Sequence, residues 1–257
     1  MKSDPQHNVE ISFDKVSKIF AKTNANDREL FRAVDELSME IHNRDIVALL
    51  GKTGCGKSTM FNMIAGLTDP SEGTVRVDGK DPFRNFDAFR GKIAIVFQND
   101  RLLPWRTAIQ NVELGLEMLE MPQAERHEKA QYWLSKLGLG GHEHDYPHAL
   151  SGGMRQRVSI ARAFATDAKL LLCDEPFSAL DEMTGQRLRD EFAKLVRENN
   201  KTAVFITHSI NEALQLGDRI VVLLRPAKIA LDLRPGKDLS EEAKEKIRSD
   251  IKAVLAA

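Results

Sequence analysis

The nine residues Gly51 to Thr59, GKTGCGKST, constrain this chain more than any other stretch. The apolar run IVALL, Ile46 to Leu50, leads into them, and Met60, Met63, Ile64 and Leu67 follow at helical spacing. A strand, a glycine-rich turn and a helix in that order form the context in which G-x-x-x-x-G-K-[ST] becomes a phosphate-binding loop. Gly51, Gly56, Lys57 and Ser58 hold the fixed positions of the pattern; Lys52, Thr53, Gly54, Cys55 and Thr59 complete the loop and the helix start. Glycines let backbone N–H groups curl around phosphate oxygens, and the helix adds its positive end. Lys57 then places a cation at the β- and γ-phosphates of a nucleotide, and the Ser58 hydroxyl is the expected Mg2+ ligand.

A chain of 257 residues holds one large α/β domain or two small ones. Charged residues make up 29% of it, yet the net charge is only −1. That balance argues against a nucleic-acid partner, which calls for a basic excess or stripe, and against electrostatic membrane binding. Cys55 and Cys173 are the two cysteines, each inside a motif, and read as free thiols of a reducing compartment. The first ten residues, MKSDPQHNVE, contain no apolar segment of a secretory signal. Apolar runs such as IVVLL fall far short of the ~20 residues that span a bilayer. A membrane role would therefore need another chain to do the crossing.

Along the chain, VEISFDKVSKIF (Val9 to Phe20) reads as a strand and the polar stretch Thr23 to Glu29 as a loop. Asp69-Pro70 and Glu72-Gly73 read as turns, TVRVDG and KIAIVFQ as strands. Trp105 to Ala165 favours helix, interrupted by a His-rich stretch from Gly138 to Pro147. His142, His144 and His148 there match no strong zinc pattern and read as a polar loop. Strands return in KLLLCDE, TAVFITH and RIVVLLR, and the tail from Leu239 reads as a charged helix capped by Ser240. The order is that of an α/β nucleotide-binding core with a helical insertion.

LLLCDEP ends a buried strand at Asp174 and Glu175. Side chains alternate along a strand, so the adjacent acids point differently. Asp174 suits the metal, and Glu175 suits the attacking water as a base or orienting group.

Together with LSGGMRQR from Leu150, FSALD from Phe177, FITHS around His208 and IVFQN around Gln98, these motifs resemble the ATP-hydrolysing subunits of ABC transporters. The resemblance runs from about Val9 to Leu224. It implies a P-loop NTPase (RecA-like) core with an antiparallel β subdomain and an inserted α-helical subdomain. The domain would cover residues 9–230, with the core at 9–97 and 166–230, the helical part at about 98–165, and a short tail at 231–257. By the same resemblance, Phe20 stacks on adenine, Gln98 joins the Mg2+ site and His208 senses the γ-phosphate. Asp181 lies in the loop that couples the two copies. Ser151, Gly152 and Gly153, with Gln156 as a ribose contact, belong to the nucleotide held by a second copy in a head-to-tail dimer. The residues themselves offer a hydroxyl, open N–H groups and a helix start, which are anion-binding parts. Arg155 and Arg157 read as solvated helix charges.

The segment NDRLLPWRTAIQNVELGL resembles the importer ATPases of the nitrate, sulfonate and taurine group. Leu103, Pro104 and Trp105 would dock a permease subunit, an aromatic beside a Pro-fixed turn being a rigid contact. That implies a transmembrane permease, an extracytoplasmic solute-binding protein and a place on the cytoplasmic face of the inner membrane. The motifs do not report the solute. An exporter or another importer subgroup remains an alternative. A DNA-repair ATPase would need long coiled-coil or zinc-bearing insertions, and a small-molecule kinase would leave LSGGMRQR and FSALD without a use.

Overall fold

The computed structural model describes residues 8–24, 27–178, 180–236 and 239–256. They divide into two compact units, one formed by the chain up to Phe89 and again from Thr202, the other by Arg90–Lys201. The first unit begins with β1 (Val9–Asn24), β2 (Asp27–His42), β3 (Ile46–Leu50), α1 (Lys57–Ile64) and β4 (Glu72–Val77). The second holds β5 (Ile93–Val96), α2 (Ala108–Met118), α3 (Gln123–Lys136), α4 (Gly152–Ala165), β6 (Leu170–Asp174) and α5 (Glu182–Glu198). The chain returns to the first with β7 (Thr202–Thr207), α6 (Ile210–Leu216), β8 (Arg219–Leu224), β9 (Lys228–Leu233) and α7 (Glu241–Ala256).

In the first unit β1 lies between β2 and β4, antiparallel to both. The expected loop at 23–29 is instead strand on both sides of residues 25–26, which lie outside the described residues. Thr23 pairs with Arg28 and Asn24 with Asp27. A main-chain ladder needs no apolar side chains, so a polar stretch can extend a hairpin. Gly73, expected in a turn, lies within β4 at φ 77°, where an added Cβ would strike the carbonyls of Asp14 and Lys15. The β1–β4 register slips between Asp14 and Ser17, where β1 carries one residue more than β4, so the glycine faces a bulge on β1. Leu67 lies beyond the end of α1 and is exposed, whereas Met60, Met63 and Ile64 are buried.

The other sheet segment of this unit places β3 between the parallel β7 and β8, with β9 antiparallel on β8. Every residue of β3 and β7 is buried, which is why they read as unbroken apolar runs rather than alternating ones. The edge strand β9 and most of β2 escaped the sequence reading, because mixed or charged sequence hides their period. The tail forms α7, whose first turn is capped by Ser240 Oγ accepting from Ala243 N at 3.2 Å.

In the second unit β5 and β6 pair in parallel, and α2, α3 and α4 pack on one another. A run of rings holds the interior: Trp133 to Phe164 at 5.0 Å, Phe164 to Phe192 at 5.9 Å and Phe192 to Phe177 at 5.6 Å between centroids. The His-rich stretch is fixed against the start of α2. Its Asp145 and Glu143 carbonyls accept from Ala108 N and Ile109 N at 2.8 and 2.9 Å, satisfying donors that a helix start leaves open. His142 Nδ1 pairs with Asp145 Oδ2 at 2.7 Å.

Candidate functional site

The buried strand β3 delivers the chain into Gly51, and α1 starts after Gly56. Gly56 sits at φ 108°, and a Cβ there would strike the Ala33 carbonyl on β2. Left-handed backbone and close approach together require glycine. Lys57 turns back into the loop: its Nζ donates to Gly51 O at 2.7 Å and Lys52 O at 3.0 Å, with Cys55 Sγ at 3.8 Å. The lysine is only 6% exposed, so its charge is held inside the turn on two carbonyls. Lys52, Thr53, Gly54 and Ser58 are exposed and Thr59 is half-buried; Cys55 is buried. Phe20, on β1, presents a ring that is 40% exposed, with Lys18 Nζ 5.1 Å from its centroid.

His208, also of the first unit, is the exposed residue of a turn pinned on both sides. Ahead of it, the buried Thr207 hydroxyl donates to the buried carboxylate of Glu212 and accepts from Ser209 N at 3.0 Å. Behind it, Ser209 Oγ accepts from Glu212 N at 3.3 Å and caps α6. Glu212 was not singled out from sequence. The available signal was an acid whose position in SINEAL falls on the inward side of a short helix.

In the second unit Asp174 ends β6 and Glu175 follows, both half-buried. Glu175 has φ 45°, a conformation that costs a non-glycine residue of order 1–3 kcal/mol. Ser178 closes the turn, its N and Oγ donating to Glu175 O at 3.2 and 3.0 Å. Gln98 Nε2 lies 3.4 Å from Glu175 Oε2, so two residues expected at one site meet here. Cys173, just before them, is buried, and that burial pushes its thiol far above the ordinary range. Asp181 caps α5, accepting from Thr184 N at 3.0 Å. That backbone N–H, donating to the carboxylate, lowers its pKa.

Ser151 caps α4 in the same way, Oγ accepting from Met154 N at 3.3 Å, with Gly152 and Gly153 in the first turn. Ser151 and Gly152 are exposed. Gln156, expected at a partner's ribose, is 4% exposed and donates to Phe97 O at 3.4 Å; its amide is engaged within its own unit. Arg157 is no solvated charge: it donates to Glu191 Oε2 at 2.7 Å and Leu137 O at 3.0 Å.

Trp105 is 70% exposed. The turn beneath it is held by Asn111, which is fully buried on α2. Asn111 Oδ1 accepts from Leu103 N at 2.7 Å, and Nδ2 donates to the carbonyls of Leu103, Arg106 and Thr107 at 3.2, 3.0 and 3.0 Å. Sequence reasoning missed it, although an amide among Ala108, Ile109, Val112 and Leu116 breaks an otherwise apolar helix face.

A glycine loop between a buried strand and a helix, with an inward lysine, defines a P-loop nucleotide-binding protein of mixed α/β fold. Comparison with known proteins narrows this class. The ABC transporter family model matches residues 34–178. An uncharacterised ABC transporter ATP-binding protein of Methanocaldococcus jannaschii is 43% identical over 86% of this chain and 80% of its own length. The taurine import ATP-binding protein TauB of Yersinia pestis is 43% identical over 74% of this chain and 73% of its own. The glycine betaine transport ATP-binding protein OpuAA of Bacillus subtilis is 39% identical over 84% of this chain, which spans 56% of that relative. Among solved structures, a dimeric ATP-binding cassette in a post-hydrolysis state, bound to ADP and Pi, superposes with a TM-score of 0.77. It is 34% identical, over 88% of this chain and 99% of that one. The chain belongs to the ABC transporter family, as an ABC-type ATPase with the P-loop NTPase fold. Among the described residues no helix is long and apolar enough to cross a membrane.

Proposed function

We propose that this chain powers an importer from the cytoplasmic face of the inner membrane. It would act as a head-to-tail pair of copies beneath permease subunits, with an extracytoplasmic solute-binding protein. The observation that carries the docking part is Trp105, a large aromatic left 70% exposed on a turn that a buried amide holds fixed. Such rigid aromatic anchors are typical of interface hot spots. The solute class we favour is a small anionic or polar molecule such as nitrate, a sulfonate or taurine, in line with the taurine relative. The glycine betaine relative supports betaines as a second class.

In the proposed chemistry the backbone N–H groups of residues 51–59 cradle the phosphates, Lys57 neutralises β- and γ-phosphate charge, and Phe20 stacks on the base. Ser58, Gln98 and Asp174 would hold Mg2+. The fit rests on their donor chemistry: a hydroxyl, an amide carbonyl and a carboxylate are hard oxygen ligands of the kind this ion takes. When bound, the ion would supply neutralisation of phosphate charge. Glu175, held in a strained turn beside Gln98, orients and deprotonates the attacking water. His208 senses the γ-phosphate from a turn fixed by Thr207 and Glu212. Ser151, Gly152 and Gly153 contact the γ-phosphate on the other copy. Hydrolysis then removes a contact that joins the two copies, and the interface loosens.

The variant Glu175→Gln tests the in-trans site. It should bind ATP, turn over several orders of magnitude more slowly, and run as a dimer with ATP and Mg2+ in size-exclusion chromatography. Near-wild-type turnover with no dimer would reject the assignment. For the importer reading, the tagged chain should bring down an apolar permease subunit. Reconstitution of that complex would then show whether taurine, nitrate or a betaine stimulates ATPase activity.

A further inference from the structure

Three side chains of α4 reach the segment that follows β5. Gln156 binds the Phe97 carbonyl at 3.4 Å, and Arg162 binds the carbonyls of Asp100 and Arg101 at 2.7 and 3.0 Å. Arg155 does something different. Its Nε donates to Asp100 Oδ2 at 3.0 Å, and another guanidinium nitrogen donates to the Leu150 carbonyl at 2.8 Å. Leu150 immediately precedes the Ser151–Gly153 tip. Asp100 is itself fixed, since its Oδ1 accepts from Leu102 N at 3.1 Å. The segment it belongs to carries Gln98 at one end, 3.4 Å from Glu175, and at the other runs through Leu103 onto the Asn111 staple under Trp105. Of the three side chains, Arg155 is the one that grips both the tip and this segment.

We propose that Arg155 is a positioning residue that couples the Ser151–Gly153 tip to the segment bearing Gln98 and Trp105, through Asp100. The proposal rests on the in-trans reading of the tip given above. The guanidinium suits the role because its planar fork serves two acceptors at fixed geometry, which a single ammonium does not. With the fork in place, a displacement of the tip on meeting a phosphate must be shared by residues 97–105. Without it, the tip and the segment respond separately, and ATP binding no longer reaches the exposed tryptophan. Coupling of this sort is a property of the link and not of either end.

The test uses the full-length chain in the Glu175→Gln background. Acrylamide quenching reports on Trp105, because the chain's other tryptophan, Trp133, is only 7% exposed. ATP with Mg2+ should produce a dimer and shift the quenching of Trp105. Arg155→Met should still dimerise with ATP and keep its melting temperature, but lose the Trp105 shift. Arg155→Lys should retain part of it. Asp100→Asn, which changes no volume, should lose it as Arg155→Met does, and it decides the matter if Arg155→Met does not fold. Retention of the full shift in Asp100→Asn or Arg155→Met overturns the proposal. So does a parent that dimerises without any shift. A parent that fails to dimerise with ATP refutes the in-trans reading itself, and the coupling falls with it.

Discussion

Replacing Asn111 by leucine should loosen the turn that carries Trp105 while leaving the fold of the rest in place. Leucine keeps asparagine's branched shape but ends in bulkier methyl groups, so the change removes hydrogen bonds without opening a cavity and crowds the turn instead. Four bonds are lost. Two of the affected groups keep another partner: Leu103 O still accepts from Arg106 N at 3.1 Å, and Thr107 O from Asn111 N at 2.9 Å. Leu103 N–H and the Arg106 carbonyl lose the partner that Asn111 supplied. At about 1–3 kcal/mol for each buried group left unmade, offset in part by the apolar side chain gained, the loss is about 2–4 kcal/mol. For a chain of this size that corresponds to a fall in melting temperature of roughly 5–10 °C. Urea titration of the isolated chain measures the total. Limited trypsin digestion locates it, because Arg101 and Arg106 flank Trp105 and should be cut faster in the variant. A drop in stability below about 0.5 kcal/mol with unchanged cleavage at Arg106 would show that the staple does not hold the turn, and the rigid-anchor argument would fail.

Lys57→Ala should weaken nucleotide binding itself, read by titration with a fluorescent ATP analogue, because the cation held on Gly51 O and Lys52 O is lost; unchanged affinity would refute its phosphate role. Ser151→Arg should bind ATP almost as wild type yet fail to hydrolyse it, with about 1 kcal/mol of stability lost through the missing helix cap. Binding reduced as far as in Lys57→Ala would mean that Ser151 acts on its own copy's nucleotide. At position 175, glycine should give a more stable chain than alanine by about 1 kcal/mol, since both lose the Gln98 contact and only glycine relieves φ 45°; urea midpoints in the opposite order would remove the strain argument.

The motifs and the strands that carry them were legible because each combines a buried apolar run with a glycine or an acid at its end. IVALL before Gly51 and LLLC before Asp174 are such runs. What escaped has physical reasons. The long hairpin was hidden because pairing through Thr23 to Arg28 is made by the main chain, to which polar residues are no obstacle. Gly73 read as a turn because a turn and a strand position pressed against a bulge on its neighbour both demand glycine, and that neighbour, β1, is far away in sequence. Arg157 read as solvent-facing because its partner Glu191 lies 34 positions on, where no helical period points. Asn111 and Glu212 were overlooked for the same cause: their work is done on backbone groups or a hydroxyl that leave no mark in a motif. Composition and spacing reveal which residues touch a ligand more readily than which residues hold those in place.

The helix starts make the distinction sharper. Thr107, Ser151, Asp181, Ser209 and Ser240 each lend a side-chain oxygen to the first turn that follows. α3 has no such cap but carries Glu125 in its first turn. α1 has neither: it begins at Gly56 with no side-chain cap and no acid in its first turn. A helix start left with its donors and its positive end uncompensated is destabilising unless something else answers them. A serine or aspartate there would have to hold the left-handed backbone of Gly56 and would drive its Cβ into the Ala33 carbonyl. An outside anion meets the same need without that clash. The one uncapped, acid-free start among the described α-helices thus coincides with the loop expected to receive phosphate, and the lysine inside that loop adds charge of the same sign.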